Sequence, residues 1–379
     1  SSPSNPNTPN YSGPGDDSFY PGKTINFDAQ KVWDRMGKHS VVAGINWKKE
    51  SFEQKRRELT NWRNHSSFDS TTYPGGLYEI NKGATNNLAL FVQDIYRPNF
   101  NWAIYTGLRI DRFKKFDGQH VTYDTTNNRY DTVNHGEGSY TEWSPRLAIE
   151  HYVTDSLNVY ASYGHSFNPP PLSQVYRYTD VVRANPNLDP ERSDTFEVGM
   201  KKEWGTKTAL NLSAFYVKTK DKVKYVTHYD NNGDVDYKMY NNVDLETRRG
   251  VELEVRHKLS SKWSVFGNYT WQMGRIKHKD LPNTNASGYE EINYDIPKHI
   301  FHAGLEYTNG KWNALWDAQY VSRRQSVDDI TGQYGSSDSY FISNVAMNYK
   351  FSKEATLQLG IQNVFNRVFF DDEATAGRT

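Results

Sequence analysis

Short and long connections alternate along this chain between segments of period-two polarity, and that rhythm constrains its fold more than any other feature. Tight connections fall near residues 37–38, 98–101, 154–156, 205–207, 259–262, 309–311 and 352–354. Longer polar stretches lie between them, at 60–86, 117–136, 168–192, 278–293 and 325–338, with a hairpin extension around 219–247. The segments themselves alternate. Trp102, Ile104, Thr106, Leu108 and Ile110 share one face, whereas Ala103, Tyr105, Gly107, Arg109 and Asp111 share the other. Leu157, Val159 and Ala161, then Leu210, Leu212 and Ala214, then Leu357, Leu359 and Ile361 repeat the pattern. Seven tight turns imply about fourteen antiparallel strands, and the turn asymmetry is that of a transmembrane β-barrel with short periplasmic turns and long extracellular loops. Trp102, Trp204, Trp263 and Trp312 stand beside the short turns, where an interfacial girdle belongs.

Composition agrees with an all-β barrel around a wet lumen. Only 36% of residues are hydrophobic and mean hydropathy is −0.86, yet aromatics reach 15%. A disordered chain would lack the aromatics; a barrel keeps every second residue polar. The 45 basic and 45 acidic residues cancel, which argues against a nucleic-acid binder. There is no cysteine to form a disulfide or a thiolate metal site. No apolar run is long enough for a transmembrane helix. Residues 1–22 are rich in Pro, Ser, Asn and Gly and read as an extracellular loop segment, leaving 23–379 as an incomplete barrel. An open arc in lipid would expose two unpaired edges, so partner strands are expected from elsewhere in a longer protein.

Four segments in order carry a family resemblance. NLALFVQDIYRPNFNWAIYTGLRIDRF (87–113) and WSPRLAIEHYVTDSLNVYASYGHSFNPPPLSQVY (143–176) resemble successive hairpins of TonB-dependent outer-membrane receptors. ANPNLDPERSDTFEVGMK (184–201) is similar to that family's Asn-Pro-x-Leu-x-Pro-Glu segment, and GIQNVFNRVFFDD (360–372) with Gly377 and Arg378 to its final strands. The resemblance implies a 22-strand barrel around an N-terminal plug, of which this chain supplies about fourteen strands, without the plug, the first strands or the last. It implies a non-enzymatic receptor in the cell outer membrane, taking up a ferric siderophore or similar chelate and energised by the TonB complex through the missing plug. Lipid and that complex are the expected partners; a monomer, no resident cofactor and no nucleic acid are expected. Cobalamin, haem and oligosaccharide receptors, a passive porin-like channel and a soluble secreted β-rich protein are the alternatives.

Candidate residues fall in two groups. Arg109 and Asp111, on one polar strand face, are expected to face the lumen or plug. Tyr176, Arg177, Tyr178 and Arg183 in the third long connection, with Arg323 and Arg324 at the head of another strand, are expected to hold an anionic aromatic chelate by charge and stacking. Asn185, Pro186, Pro190 and Glu191 read as shaping that connection's return to the barrel. No His lies between Phe167 and Asp189, and His165 belongs to a strand; His299 and His302, three apart, point to opposite faces. DNNGDVD (230–236) lacks the closing Glu of a calcium loop and reads as a hairpin turn. No catalytic constellation is present.

Overall fold

The computed structural model describes residues 13–179, 181–293, 295–327 and 334–368. Seven hairpins form the body of one antiparallel sheet: β2 (Gly22–Met36) with β3 (His39–Leu59), β4 (Leu77–Asn99) with β5 (Trp102–Asp124), β7 (Gly138–Thr154) with β8 (Leu157–Asn168), and β10 (Glu191–Trp204) with β11 (Thr208–Tyr229). The series continues through β12 (Val235–Lys258) and β13 (Trp263–His278), β15 (His299–Asn309) and β16 (Trp312–Val321), then β19 (Tyr340–Lys350) and β20 (Thr356–Ile361). Each hairpin also pairs with the next, through β3–β4, β5–β7, β8–β10, β11–β12, β13–β15 and β16–β19. The turns fall at the positions expected from the sequence. Gly37 (φ 65°) and Gly310 (φ 58°) supply the left-handed backbone that two-residue hairpin turns demand.

The two faces differ as period two requires. On β5 the Ala103 and Asp111 side is buried, whereas Trp102 on the other side is more than a third exposed. Leu88, Leu90, Val92, Leu147, Ile149, Phe196, Val198, Val251, Phe301, Trp316 and Phe341 likewise stand exposed on the face opposite the charged side chains. An apolar belt of this extent is stable only against lipid. The girdle is present too: Trp102, Trp263 and Trp312 open strands and Trp204 ends one, each beside a tight turn and each exposed. The apolar face is therefore the outside of a barrel wall and the polar face its lumen.

Several strands exceed the 9–11 residues a bilayer needs. β11 has 22 and β12 has 24, so their hairpin stands roughly 40 Å of strand above the membrane. Its tip is the turn at Asp230–Asp234, where Asp230 Oδ1 accepts from the backbone amides of Asn232 and Asp234; the DNNGDVD stretch is thus a hairpin turn. His299 packs against Tyr269 and His302 against Phe266, on opposite faces.

Smaller elements occupy the long connections: β6 (Arg129–Asn134) folds back on β5, α1 (Leu172–Val175) and β9 (Val182–Arg183) follow β8, and β14 (Glu290–Asn293) pairs with β13. β17 (Arg324–Val327) and β18 (Tyr334–Ser337) form a separate two-stranded ladder. Among the described residues, β2 and β20 each pair on one side only, so the sheet is an arc with two open edges. The loop reading of residues 1–22 is corrected at Gly15–Phe19, which is strand β1 paired with the upper end of β3. Arg56 on β3 binds Asp16 at 3.3 Å and holds it there. Residues 1–12, the end of the last motif (369–372), Gly377 and Arg378 lie outside the described residues.

Candidate functional site

The lumen face of β4 and β5 carries the first group of candidate residues. Arg109 Nε and Nη2 donate to the two oxygens of Asp111 at 2.8 and 2.7 Å, a bidentate pair, and Asn87 Nδ2 adds a third bond to Asp111 at 2.8 Å. Arg109 also reaches Asn46 Oδ1 on β3 at 3.3 Å. Asp111 is 1% exposed, so its charge is tolerable only because these donors surround it. The pair lines a cavity of about 520 Å³ together with Phe91, Gln93, Arg146 and Phe167. The two charges are satisfied by each other within the wall, and the other cations lining this cavity are Arg146 on β7 and Lys48 on β3, which pairs with Glu50 at 2.7 Å.

The second group sits on the β8–β10 connection, which folds back onto the lumen wall. Its anchor is Tyr176. The ring is fully buried and lies flat on two glycines that strand pairing brings side by side: a Cβ on Gly83 would meet it at 2.1 Å, and one on Gly118 at 2.2 Å. Val175 and Leu188 complete a core under the connection, with Leu172, Val223 and Tyr240 against it. Burial pushes the Tyr176 hydroxyl up to about 12. Tyr176 is thus a structural anchor rather than a surface contact, a correction to its expected ligand role: the sequence does not show that Gly83 and Gly118 form a floor for it.

Tyr178, two residues on, is half-buried. Asn81 holds its backbone from both sides: Asn81 Nδ2 donates to the Tyr178 carbonyl at 3.0 Å, and the Tyr178 amide donates to Asn81 Oδ1 at 3.2 Å. His120 lies 2.8 Å from the same oxygen, with its ring 4.4 Å from that of Tyr178. His135 stacks on both Tyr176 and Tyr178, each at 6.1 Å, and burial followed by the nearby His120 charge lowers its pKa. Arg183 donates from Nη1 to Tyr178 Oη at 2.6 Å; its guanidinium stands 5.0 Å from the Tyr178 ring and 5.9 Å from the Tyr237 ring on β12. Arg183 is fixed by β9, which pairs in parallel with Lys238 and Met239. Arg177 is exposed and close enough to Tyr225 to act on its charge.

The geometry therefore brings Tyr178 and Arg183 together, with Arg177 nearby, and adds His120, His135, Asn81 and Tyr237, which the sequence did not single out. Asn81 and His120 become visible only through the register of β4 on β5. Arg323 follows β16 and Arg324 opens the separate β17–β18 ladder, so strand pairing does not link them to this cluster. Asn185 donates to the Tyr240 carbonyl at 2.8 Å, Pro190 is buried, and Glu191 accepts from the Val223 amide at 2.8 Å, the anchoring role expected of this stretch. Lys115 Nζ secures it further through the Leu188 carbonyl at 2.6 Å.

Comparison with known proteins agrees with this architecture. Residues 1–364 match the family model described as TonB dependent receptor-like, beta-barrel. The catecholate siderophore receptor Fiu of Escherichia coli K12 is 23% identical over 330 residues, covering 79% of this chain and 40% of that protein. A ferric-pyoverdine BN7/BN8 receptor of Pseudomonas putida is 23% identical over 236 residues, 62% of this chain and 26% of its own. The crystal structure of Fiu superposes with a TM-score of 0.67 at 18% identity over 94% of this chain and 52% of that one. The copper transporter OprC gives 0.70, also at 18% identity, over 93% and 52%. The chain spans about 40% of the length of the Fiu sequence it matches. With its strand order, lipid-facing belt and aromatic girdle, it is an outer-membrane wall of fourteen long strands, and it belongs to the TonB-dependent receptor β-barrel family.

Proposed function

We propose that this chain is the barrel of a receptor that captures a ferric siderophore at its extracellular opening and passes it inward, with energy delivered through a plug domain and the TonB complex. The observation that carries the reading is the Arg183 guanidinium set between the rings of Tyr178 and Tyr237, above a floor of fixed loop. A ferric catecholate is an anion with aromatic faces. A cation flanked by tyrosines offers it charge and stacking at once. The relatives named as catecholate and pyoverdine receptors support the class of cargo. Tyr178, Arg183 and Arg177 are the proposed contacts, and Arg109 with Asp111 the wall beneath them.

The test is intrinsic tryptophan fluorescence of the full-length protein in detergent, titrated with ferric catecholate, ferric hydroxamate, haem and cobalamin. Saturable quenching by a ferric chelate, weakened about tenfold by Arg183→Ala and partly restored by Arg183→Lys, is the expected result. Tight binding of haem or cobalamin instead, or an Arg183→Ala titration matching the wild type, overturns the cargo assignment.

A further inference from the structure

The tip of the β11–β12 hairpin is built on one carboxylate. The ladder ends at Tyr229 opposite Val235, and residues 230–234 between them make no strand pair. The Asp230 amide donates to the Asp234 carbonyl at 2.9 Å and closes the turn. Inside it, Asp230 Oδ1 accepts from the amides of Asn232 and Asp234, each at 2.9 Å, and Asn232 Nδ2 reaches Asp230 Oδ2 at 3.4 Å. An aspartate that bonds the backbone two residues on holds such turns. Gly233 supplies the left-handed backbone, at φ 89°. Residues 230–236 are all exposed.

Two conditions that favour attack on an asparagine side chain by its own backbone meet here. The nitrogen after Asn232 belongs to a glycine, so no Cβ shields it, and nothing lies within 4 Å of where one would stand. Asn232 also has no ladder partner, so its main chain can rotate towards Gly233 without breaking a strand pair. The Gly233 N–H is loosely held as well, donating to the Asp230 carbonyl at 3.2 Å.

Other asparagines in turns meet one condition only. Asn309 precedes Gly310, but it is paired with Trp312 across the turn, and rotation there must break that pair. Asn128 stands in the turn between β5 and β6, at φ 51°, but Arg129 follows it, with a side chain that crowds the nitrogen and a ladder pairing to Asp124.

We propose that Asn232–Gly233 is a modification site, at which the Asn232 side chain converts from amide to acid through a cyclic imide. The Gly233 nitrogen loses its proton to solvent base and attacks Cγ of Asn232. The Cγ–Nδ2 bond breaks, and the amide nitrogen takes up a proton and leaves as ammonia. Water then adds to either carbonyl of the imide, which opens to aspartate or to isoaspartate. Water is the only co-reactant, and nothing is oxidised or reduced.

Either product sets a carboxylate beside those of Asp230 and Asp234 and removes the Asn232 Nδ2 contact. Isoaspartate also routes the main chain through an extra carbon between the two amides that Asp230 Oδ1 now spans. The tip thus gains negative charge and loses its staple as the molecule ages.

The test is peptide mass mapping of the full-length protein in detergent, incubated at mildly alkaline pH, with isoaspartate read by enzymatic methylation. The peptide holding residues 230–234 is expected to gain the mass of an amide-to-acid exchange and to yield both isomers. It should do so about tenfold sooner than peptides holding Asn309 or Asn128, since a ladder bond need not open first. Gly233→Ala is expected to slow the conversion about tenfold by shielding the nitrogen. Asn232→Asp, which needs no reaction, is expected to quicken amide exchange across 229–236. Conversion at Asn309 while Asn232 stays intact overturns the site, and equal rates at the two overturn the role of the open turn. A Gly233→Ala rate equal to the wild type overturns attack by that nitrogen, and unchanged exchange in Asn232→Asp overturns the loosening of the tip.

Discussion

Replacing Tyr176 by alanine should release the β8–β10 connection while leaving the barrel folded. The ring is fully buried, lies on the Cα atoms of Gly83 and Gly118, and joins Val175 and Leu188 in the core under the connection. Deleting a fully buried aromatic ring costs about 3–5 kcal/mol. That cost falls on one local unit, because Tyr176 belongs to no barrel strand. The equilibrium for lifting the connection should therefore shift by roughly a hundredfold to a few thousandfold. Native-state hydrogen exchange of amides in 172–190 reads this directly, with limited proteolysis as a second readout. The Tyr176 hydroxyl is buried without a hydrogen-bond partner among the described residues, so Tyr176→Phe should exchange at the wild-type rate or more slowly. Exchange in 172–190 unchanged by Tyr176→Ala would refute the anchor reading. So would a Tyr176→Phe variant as loose as the alanine one.

Other expectations rest on single contacts. Asp111→Ala strips a bidentate partner from Arg109, which is about a third exposed, and should cost about 1–3 kcal/mol in thermal unfolding; Arg109→Ala/Asp111→Ala should cost less than the two single changes added together. Asn81→Ala removes both clamps on the Tyr178 backbone and the contact to His120, so it should loosen residues 177–183 by exchange and weaken chelate binding without lowering barrel stability. His135 has a folded-state pKa below its ordinary value of about 6.5, so the unfolded connection takes up the proton more readily. Its contribution is complete above about pH 6.5 and declines as pH falls toward the folded pKa. Amide exchange in 172–190 should quicken on acidification across that window, and His135→Phe should remove the dependence.

Much of the architecture was legible in the sequence because it is written locally. Gly37 and Gly310 announce turns, Trp102 and Trp263 announce the girdle, and Ala103 against Trp102 announces which face is which. The site was legible only in part. Arg183 and Tyr178 could be nominated from residue type in a long connection, but the burial of Tyr176 depends on a register shift between Lys82 and Ala84 that carries Gly83 alongside Gly118. No local signal encodes that. Strand β1 was missed for a related reason: its Asp16 finds Arg56 forty residues on, and the Pro and Gly around it read as loop. Arg323 and Arg324 were nominated from residue type alone, and strand pairing sets Arg324 in the separate β17–β18 ladder.

Iron uptake tests the central claim most directly. Cells lacking the gene, complemented with the full-length protein or left empty, would be given radiolabelled iron as the ferric chelate that quenches fluorescence most tightly. The account predicts saturable accumulation only in complemented cells, abolished by collapsing the proton gradient while surface binding persists. Accumulation that survives the uncoupler and never saturates would mark a passive pore and contradict the receptor account.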